Sequence, residues 1–214
     1  MKLGLNCPIC RNQESAPYHP GYRICPTCEA VFLLPHLLPD PDEERERYLL
    51  HENDPDDPGY RDFLSRLAKP LLERLPPGQE GLDYGCGPGP ALARMLEEAG
   101  HRVRLYDPFF YPDRSVLDRT YDFISCTETA EHFHDPAGEF ARLDRLLNPG
   151  GWLGVMTTFR PDDRDFPSWY YRRDPTHVVF YREATFRRLA ERFDWHCEFP
   201  VPDIFIGRKL GNGE

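Results

Sequence analysis

What this sequence lacks narrows it first. No stretch of the 214 residues approaches the ~18 consecutive apolar residues of a membrane-spanning helix, so no span is expected. The opening residues, "MKLGLNCPIC", hold no apolar run of the secretory kind, and a reducing cytoplasm is the expected setting. Without such a signal, the seven cysteines do not read as a disulfide framework. Positive charge is scarce: 26 Lys and Arg stand against 36 Asp and Glu, a formal charge of −10. An acidic chain repels phosphate backbones, which argues against general nucleic-acid binding, although a local basic patch would reverse this. Internal repeats and low-complexity tracts are absent.

Proline, in contrast, is abundant. The 23 prolines are roughly double the ~5% average, which predicts short helices and pinned turns. Hydrophobic residues make up 40%, enough for one core, and the length suits one domain with a small appendage. Three zones are expected: paired cysteines in 1–38, an acidic helical linker in 39–79, and an α/β domain in 80–214. In the middle zone a helix is predicted over about 42–50, a loop over 54–59 and a second helix over about 59–75. Phe63, Leu64, Leu67, Leu71, Leu72 and Leu75 give that second helix a core-facing stripe, and Pro70 should kink it. The acidic run itself reads as a solvated linker face.

From Gly81 onward strands and helices alternate. Strands are predicted at 81–85, 101–107, 121–126, 151–159, 195–201 and 203–210, and helices at 90–100, 137–147 and 183–192. That order argues for a mostly parallel sheet with helices on both faces, and the last two strands for an antiparallel edge.

Cys7-x2-Cys10 and Cys25-x2-Cys28 lie fourteen residues apart. Each pair can set two thiolates on one side of a tight turn, and four sulfurs suit tetrahedral Zn²⁺. With short strand-like runs beside them ("YRIC", "AVFLL"), they resemble a zinc ribbon with a closed, structural metal. Buried free thiols are the plainer alternative. Neither pair opens a helix in a βαβ unit, as a redox motif would.

The stretch "GLDYGCGPGP" ends the first strand with alternating Gly85, Gly87 and Gly89, ahead of a helix N-terminus. A dinucleotide fingerprint would need glycine where Pro90 stands. Three further stretches accompany this turn. Asp107 ends the second strand, "EHFHDP" follows the fourth-strand candidate, and "RLLNPGGWLGVMT" leads into the next.

Together these resemble the motifs of class I S-adenosylmethionine-dependent methyltransferases of the type 11/12/23 kind. The likeness spans about 81–158, and a cysteine-ribbon prefix is familiar in bacterial members. It implies a Rossmann-like sheet binding S-adenosylmethionine along Asp83, Gly85, Cys86, Gly87, Gly89, Asp107, Pro108, Thr127 and Glu128. Asp107 would meet the ribose hydroxyls, and Thr127 and Glu128 would lie near the sulfonium. One departure stands out: only thirteen residues separate Asp107 from Tyr121, so the third strand must be short or absent. Phe109, Phe110 and Tyr111 would then wall the adenine, or simply pack an edge.

The stretch "TETAEHFH" invites two readings. In one, Glu131 and His132 merely open and cap the next helix. In the other, Glu128-x-x-Glu131-His132 is similar to a spacing in ubiquinone-pathway and small-RNA 2′-O-methyltransferases that holds a divalent cation beside the methyl acceptor. His177 would complete the set for Mg²⁺, Mn²⁺ or Zn²⁺, with His134 a weaker candidate. His177 could instead close a loop, and His132 or His177 could act as general base. Trp169, Tyr170 and Tyr171 either grip an acceptor or form a satellite core.

The resemblance implies methyl transfer to a small molecule, with an oxygen acceptor favoured. An RNA- or protein-directed enzyme is the alternative, its ribbon the reader and Arg172, Arg173, Arg182, Arg187 and Arg188 its basic face. A non-catalytic cofactor-binding module is the third possibility.

Overall fold

A computed structural model describes residues 5–50 and 53–211 of the chain. The outermost ends of the first and third expected zones, and His51 and Glu52 of the middle one, lie outside the described residues.

The cysteine-bearing segment forms three short antiparallel strands, β1 (Ala16–His19), β2 (Tyr22–Ile24) and β3 (Val31–Leu33). Two helices follow. In α1 (Pro41–Tyr48), Asp40 accepts from the Asp42 and Glu43 amides and Glu43 reaches back to the Asp40 N–H, a complete capping box. None of its residues is buried. In α2 (Pro58–Leu72), Asp57 caps the Tyr60 amide; Leu64, Leu67 and Leu71 of the predicted stripe are buried, as is Leu75 just beyond the helix, while Phe63 and Leu72 are half-buried. Pro70 sits inside this helix two residues before its end, where its missing N–H removes one i→i−4 hydrogen bond, the one to the Arg66 carbonyl.

The α/β core runs β4 (Glu80–Tyr84), α3 (Ala91–Glu98), β5 (Arg102–Tyr106), β6 (Tyr121–Thr127), α4 (Pro136–Leu146) and β7 (Leu147–Met156). It closes with β8 (Val179–Phe180), α5 (Glu183–Phe193), β9 (Trp195–Glu198) and β10 (Ile204–Lys209). The main sheet has order β5-β4-β6-β7-β10-β9. β5, β4, β6 and β7 are parallel, while β10 runs antiparallel between β7 and β9. Among the described residues no strand lies between β5 and β6; a short 3-10 turn over Arg114–Asp118 takes the space of the third strand and its crossover. The sheet is Rossmann-like, with the third-strand region shortened as the sequence predicts.

Its two faces are covered by different helices. Leu67 and Leu71 of α2 and Leu92 and Leu96 of α3 pack with Met156 and Ile206 on one side. Phe140 and Leu143 of α4 and Phe186 and Leu189 of α5 pack with Ile124, Val155 and Phe205 on the other. Each such leucine, fully removed from water, stabilises the fold by about 1.5–3 kcal/mol.

The cysteine segment is no loose appendage. β3 pairs with β8, so β1-β2-β3-β8 is one four-stranded sheet whose last strand comes from residues 179–180. Cys7, Ile9, Cys25 and Cys28 are wholly buried and join the second of those cores. Among the described residues no helix is long and apolar enough to cross a membrane.

Candidate functional site

β5 and β6 leave β4 on opposite sides, so the crevice at the carboxyl ends of these strands is the switch point where open α/β sheets bind ligands. A cavity of about 690 Å³ opens there. It gathers candidates that lie far apart in sequence: Asp83, Gly85, Cys86, Gly87 and Gly89, then Asp107 and Pro108, then Thr127, Glu128, Glu131 and His132, and finally His177.

One side of this cavity is made of backbone. Gly85 (φ +77°) and Gly87 (φ +63°) adopt the left-handed conformation that turns the chain after β4. A Cβ on Gly85 would stand 2.2 Å from the Thr129 side chain. At Gly89 the close neighbour is the Asn53 carbonyl, so this glycine admits another chain segment, not only a ligand. The Asp107 carboxylate faces this turn: Oδ2 accepts from the Gly87 N–H (3.1 Å) and Oδ1 from the Phe109 and Phe110 amides (2.8 and 3.0 Å). Phe109 and Phe110 line the cavity. Asp83 is buried beneath, accepting from Ser125 Oγ at 2.8 Å, and burial pushes its carboxyl up to about 6.

The other side is made of side chains from several segments. Glu131 is fully buried, and its Oε2 finds no hydrogen-bond partner among the described residues. Its Oε1 accepts from the Tyr171 hydroxyl, which also lies 3.1 Å from Glu128 Oε2. One phenolic proton cannot serve two carboxylates, and burial, then the Glu131 charge, pushes Glu128 up to about 9. His132 Nδ1 lies 2.9 Å from the Thr176 carbonyl and His177 Nδ1 lies 2.7 Å from that of Tyr171. A carbonyl only accepts, so both Nδ1 atoms carry the proton, and a neutral ring then turns an Nε2 lone pair toward the cluster. Burial lowers the His177 pKa, holding that ring neutral.

Glu131, His132 and His177 bring their ligand atoms within 4.8 Å of one another. Glu128 stands outside that group, one hydroxyl away through Tyr171. An orphaned carboxylate oxygen beside two oriented imidazoles is a donor set that fits a divalent cation. The sulfurs of Cys7, Cys10, Cys25 and Cys28 also lie within 4.8 Å of one another, with Cys7–Cys28 at 3.6 Å and Cys10–Cys25 at 3.5 Å. Thiolates held ~2.3 Å from a tetrahedral zinc would stand ~3.8 Å apart, so the cluster fits Zn²⁺.

Several side chains fall elsewhere than the sequence suggests. The acidic zone is not only solvated: Glu44 and Tyr48 of α1 and Asn53 line the cavity. Glu44 lies 3.1 Å from His134 Nε2, Arg47 Nε bonds Asp174 Oδ2 at 2.7 Å, and the Tyr48 ring packs edge-on against His132. The signal was present, since Glu44, Arg47 and Tyr48 share one helical face at i, i+3 and i+4. Trp169 packs with Phe166 and Phe180 in a satellite core, and Tyr170 is exposed, so neither roofs the cavity. The expected basic face is occupied. Arg182 pairs with Glu29 and Asp162, Arg187 with Glu183 and Arg188 with Glu191, while Arg172 and Arg173 donate to nearby carbonyls.

Comparison with known proteins bears on this geometry. A family model described as a methyltransferase domain matches residues 54–198. Ubiquinone biosynthesis O-methyltransferase of Nitrosospira multiformis is 28% identical over 150 residues, covering 59% of this chain and 58% of that protein. A 2-methyl-6-phytyl-1,4-hydroquinone methyltransferase of Synechocystis is 28% identical over 135 residues, covering 52% of this chain and 42% of that one. The chain thus spans about half the length of the curated relatives it matches. Among solved structures, 1,6-didemethyltoxoflavin-N1-methyltransferase of Burkholderia thailandensis superposes with a TM-score of 0.57 at 17% identity, over 92% of this chain and 99% of that one. At that identity the likeness is one of fold.

Proposed function

Because the chain belongs to the class I S-adenosylmethionine-dependent methyltransferase family, we propose that it methylates an oxygen of a small molecule in the cavity at the strand ends. The observation that carries this reading is the single cavity in which the glycine turn and Asp107 face the Glu131, His132 and His177 cluster. Bound S-adenosylmethionine supplies an electrophilic methyl group. The turn at Gly85–Gly87 lines the cavity that would receive it, and Asp107, with three amides already on its carboxylate, keeps one oxygen lone pair for a ribose hydroxyl. Thr127 Oγ1, buried and without a hydrogen-bond partner among the described residues, is a further polar contact on offer.

On the acceptor side, Glu131, His132 and His177 would hold a divalent cation, whose chemistry is to orient vicinal oxygens and lower a hydroxyl pKa. Without a cation, the same Nε2 lone pairs would accept the acceptor's proton. The cavity walls would align the acceptor with the methyl group, which is the main catalytic task in an in-line displacement. The names of the quinone-pathway relatives support a hydroxylated ring as the acceptor class. A nucleic-acid- or protein-directed enzyme finds less support, because the arginines that would form its contact face are engaged within the chain.

Two measurements test the reading. Calorimetry with S-adenosylhomocysteine should give one site per chain, and absence of binding sinks the proposal. Turnover of a 1,2-dihydroxylated ring should exceed that of its monohydroxylated analogue and fall on chelation. Equal turnover of both, untouched by chelation, would remove the cation from the scheme.

A further inference from the structure

The cysteine segment packs and hydrogen-bonds against the acceptor side of the cavity. The Tyr171 ring, whose hydroxyl lies between Glu128 and Glu131, packs in one apolar cluster with Val31 and with Tyr18, Tyr22 and Ile24 of the ribbon strands. The His177 ring lies 4.1 Å from the Tyr171 ring, centroid to centroid. Next to it, Val178 is a bridge: its carbonyl accepts from the Leu33 N–H of β3 at 2.8 Å, and its N–H donates to the Glu131 carbonyl at 2.9 Å. Strand pairing continues through Phe32–Val179 and Val31–Phe180.

The two cysteine knuckles are themselves tied to the catalytic domain. Ala137 N–H donates to the Pro8 carbonyl at 3.1 Å, five residues after His132. Thr185 Oγ1 donates to the Cys28 carbonyl at 2.8 Å. Arg160 is the buried tie between them. Its Nε donates to the Glu29 carbonyl (3.0 Å) and its Nη1 to Tyr18 Oη (3.2 Å) and Asp163 Oδ1 (2.9 Å), while its backbone N–H holds the Tyr181 carbonyl (2.8 Å). A guanidinium removed from water is stable only when so bonded, and it fixes what it touches.

We propose that the zinc ribbon is an internal positioning element for methyl transfer. Through Arg160, the β3–β8 pairing and the Tyr18/Tyr22/Val31 cluster it sets Tyr171 and His177 against Glu131, and leaves the cofactor turn to fold by itself. The proposal rests on the methyltransferase reading only for the purpose of that geometry. When bound, zinc supplies the folding energy of a segment too small to hold itself together. Arg160, Val31 and Tyr18 are positioning residues that act through Tyr171 and His177.

Hydrogen exchange on the full-length, zinc-loaded protein tests this, read before and after zinc removal with a zinc-selective chelator in excess Mg²⁺, so that the Glu131, His132 and His177 cluster stays supplied with a divalent cation. Amides in 166–181 should lose at least tenfold in protection, those in 80–92 and 102–111 should hold, and S-adenosylhomocysteine affinity should change less than threefold. Zinc added back should restore the protection. Arg160→Gln, with one zinc per chain confirmed by metal analysis, should loosen the same 166–181 amides and shift the emission of Trp169, read as a difference against Trp169→Phe. Unchanged protection at 166–181 in both cases overturns the proposal. So does an equal loss across 80–111, because the ribbon would then be a general support. Failure of the zinc-loaded wild type to bind S-adenosylhomocysteine would overturn the cofactor assignment, while the exchange pattern judges the ribbon independently.

Discussion

The two sides of the cavity are built from different materials. The cofactor side is backbone: a left-handed turn between β4 and α3, the ends of neighbouring parallel strands, and one carboxylate that gathers three amides within 23 residues of the turn. The acceptor side is side chain, assembled from α1, the segment after β6, the loop before β8 and, behind that loop, the cysteine ribbon. A backbone site forms wherever its strands pair. A side-chain site needs every contributing segment in place, so it can be altered or lost while the other half stands.

Substitutions can break this contrast. The largest effect is expected from Asp107→Ala, which strips the acceptor from the Gly87, Phe109 and Phe110 amides together with the ribose contact. A hydrogen bond to a charged group contributes ~1.5–3 kcal/mol, and a turn released from its carboxylate must be ordered again on binding, so S-adenosylhomocysteine affinity should fall about 1000-fold, or about 4 kcal/mol, by calorimetry. Zinc content should stay at one per chain.

Next in size is a pH effect on stability from Asp83, whose pKa is raised by burial from 3.8 to about 6. The folded chain therefore holds an extra proton between those values. Its stabilising effect is complete below pH ~4 and is lost as pH climbs through 6, a fall in unfolding free energy of about 3 kcal/mol. Denaturant titrations from pH 4 to 7 should show a fall in stability, to which the raised Glu128 adds with the same sign, and Asp83→Asn should make it shallower by about that amount.

Smallest is Glu131→Gln, which keeps the shape of the acceptor-side cluster but removes its charge. Turnover should drop ~10–100-fold, as for a weakened metal or base arrangement, with S-adenosylhomocysteine affinity within threefold of wild type. Equal losses of affinity and turnover would mean the two sides are one unit.

The same contrast explains what could be read from residues alone. The glycine turn and Asp107 were legible because a backbone bend leaves a local signature, and the missing third strand because thirteen residues cannot hold a strand and its crossover. The paired cysteines were legible because ligand spacing is local too. Tyr171 between two carboxylates was not, since its partners stand 43 and 40 residues away. Nor was β8, a two-residue strand inside an aromatic loop that pairs with a strand nearly 150 residues earlier. The face of α1 toward the cavity was hidden for another reason. Its mean polarity is that of a solvated helix, and only the spacing of Glu44, Arg47 and Tyr48 distinguishes one face from the rest.

Loss of the third strand also leaves β5 at the rim of the main sheet, with one row of its peptide groups facing no neighbouring strand. Such a rim invites a second molecule to add on in register. Arg102 and Arg104 stand exposed along it and pair with Glu80, so two copies brought rim to rim would set like charges against each other. The shortened fold thus carries its own guard against aggregation.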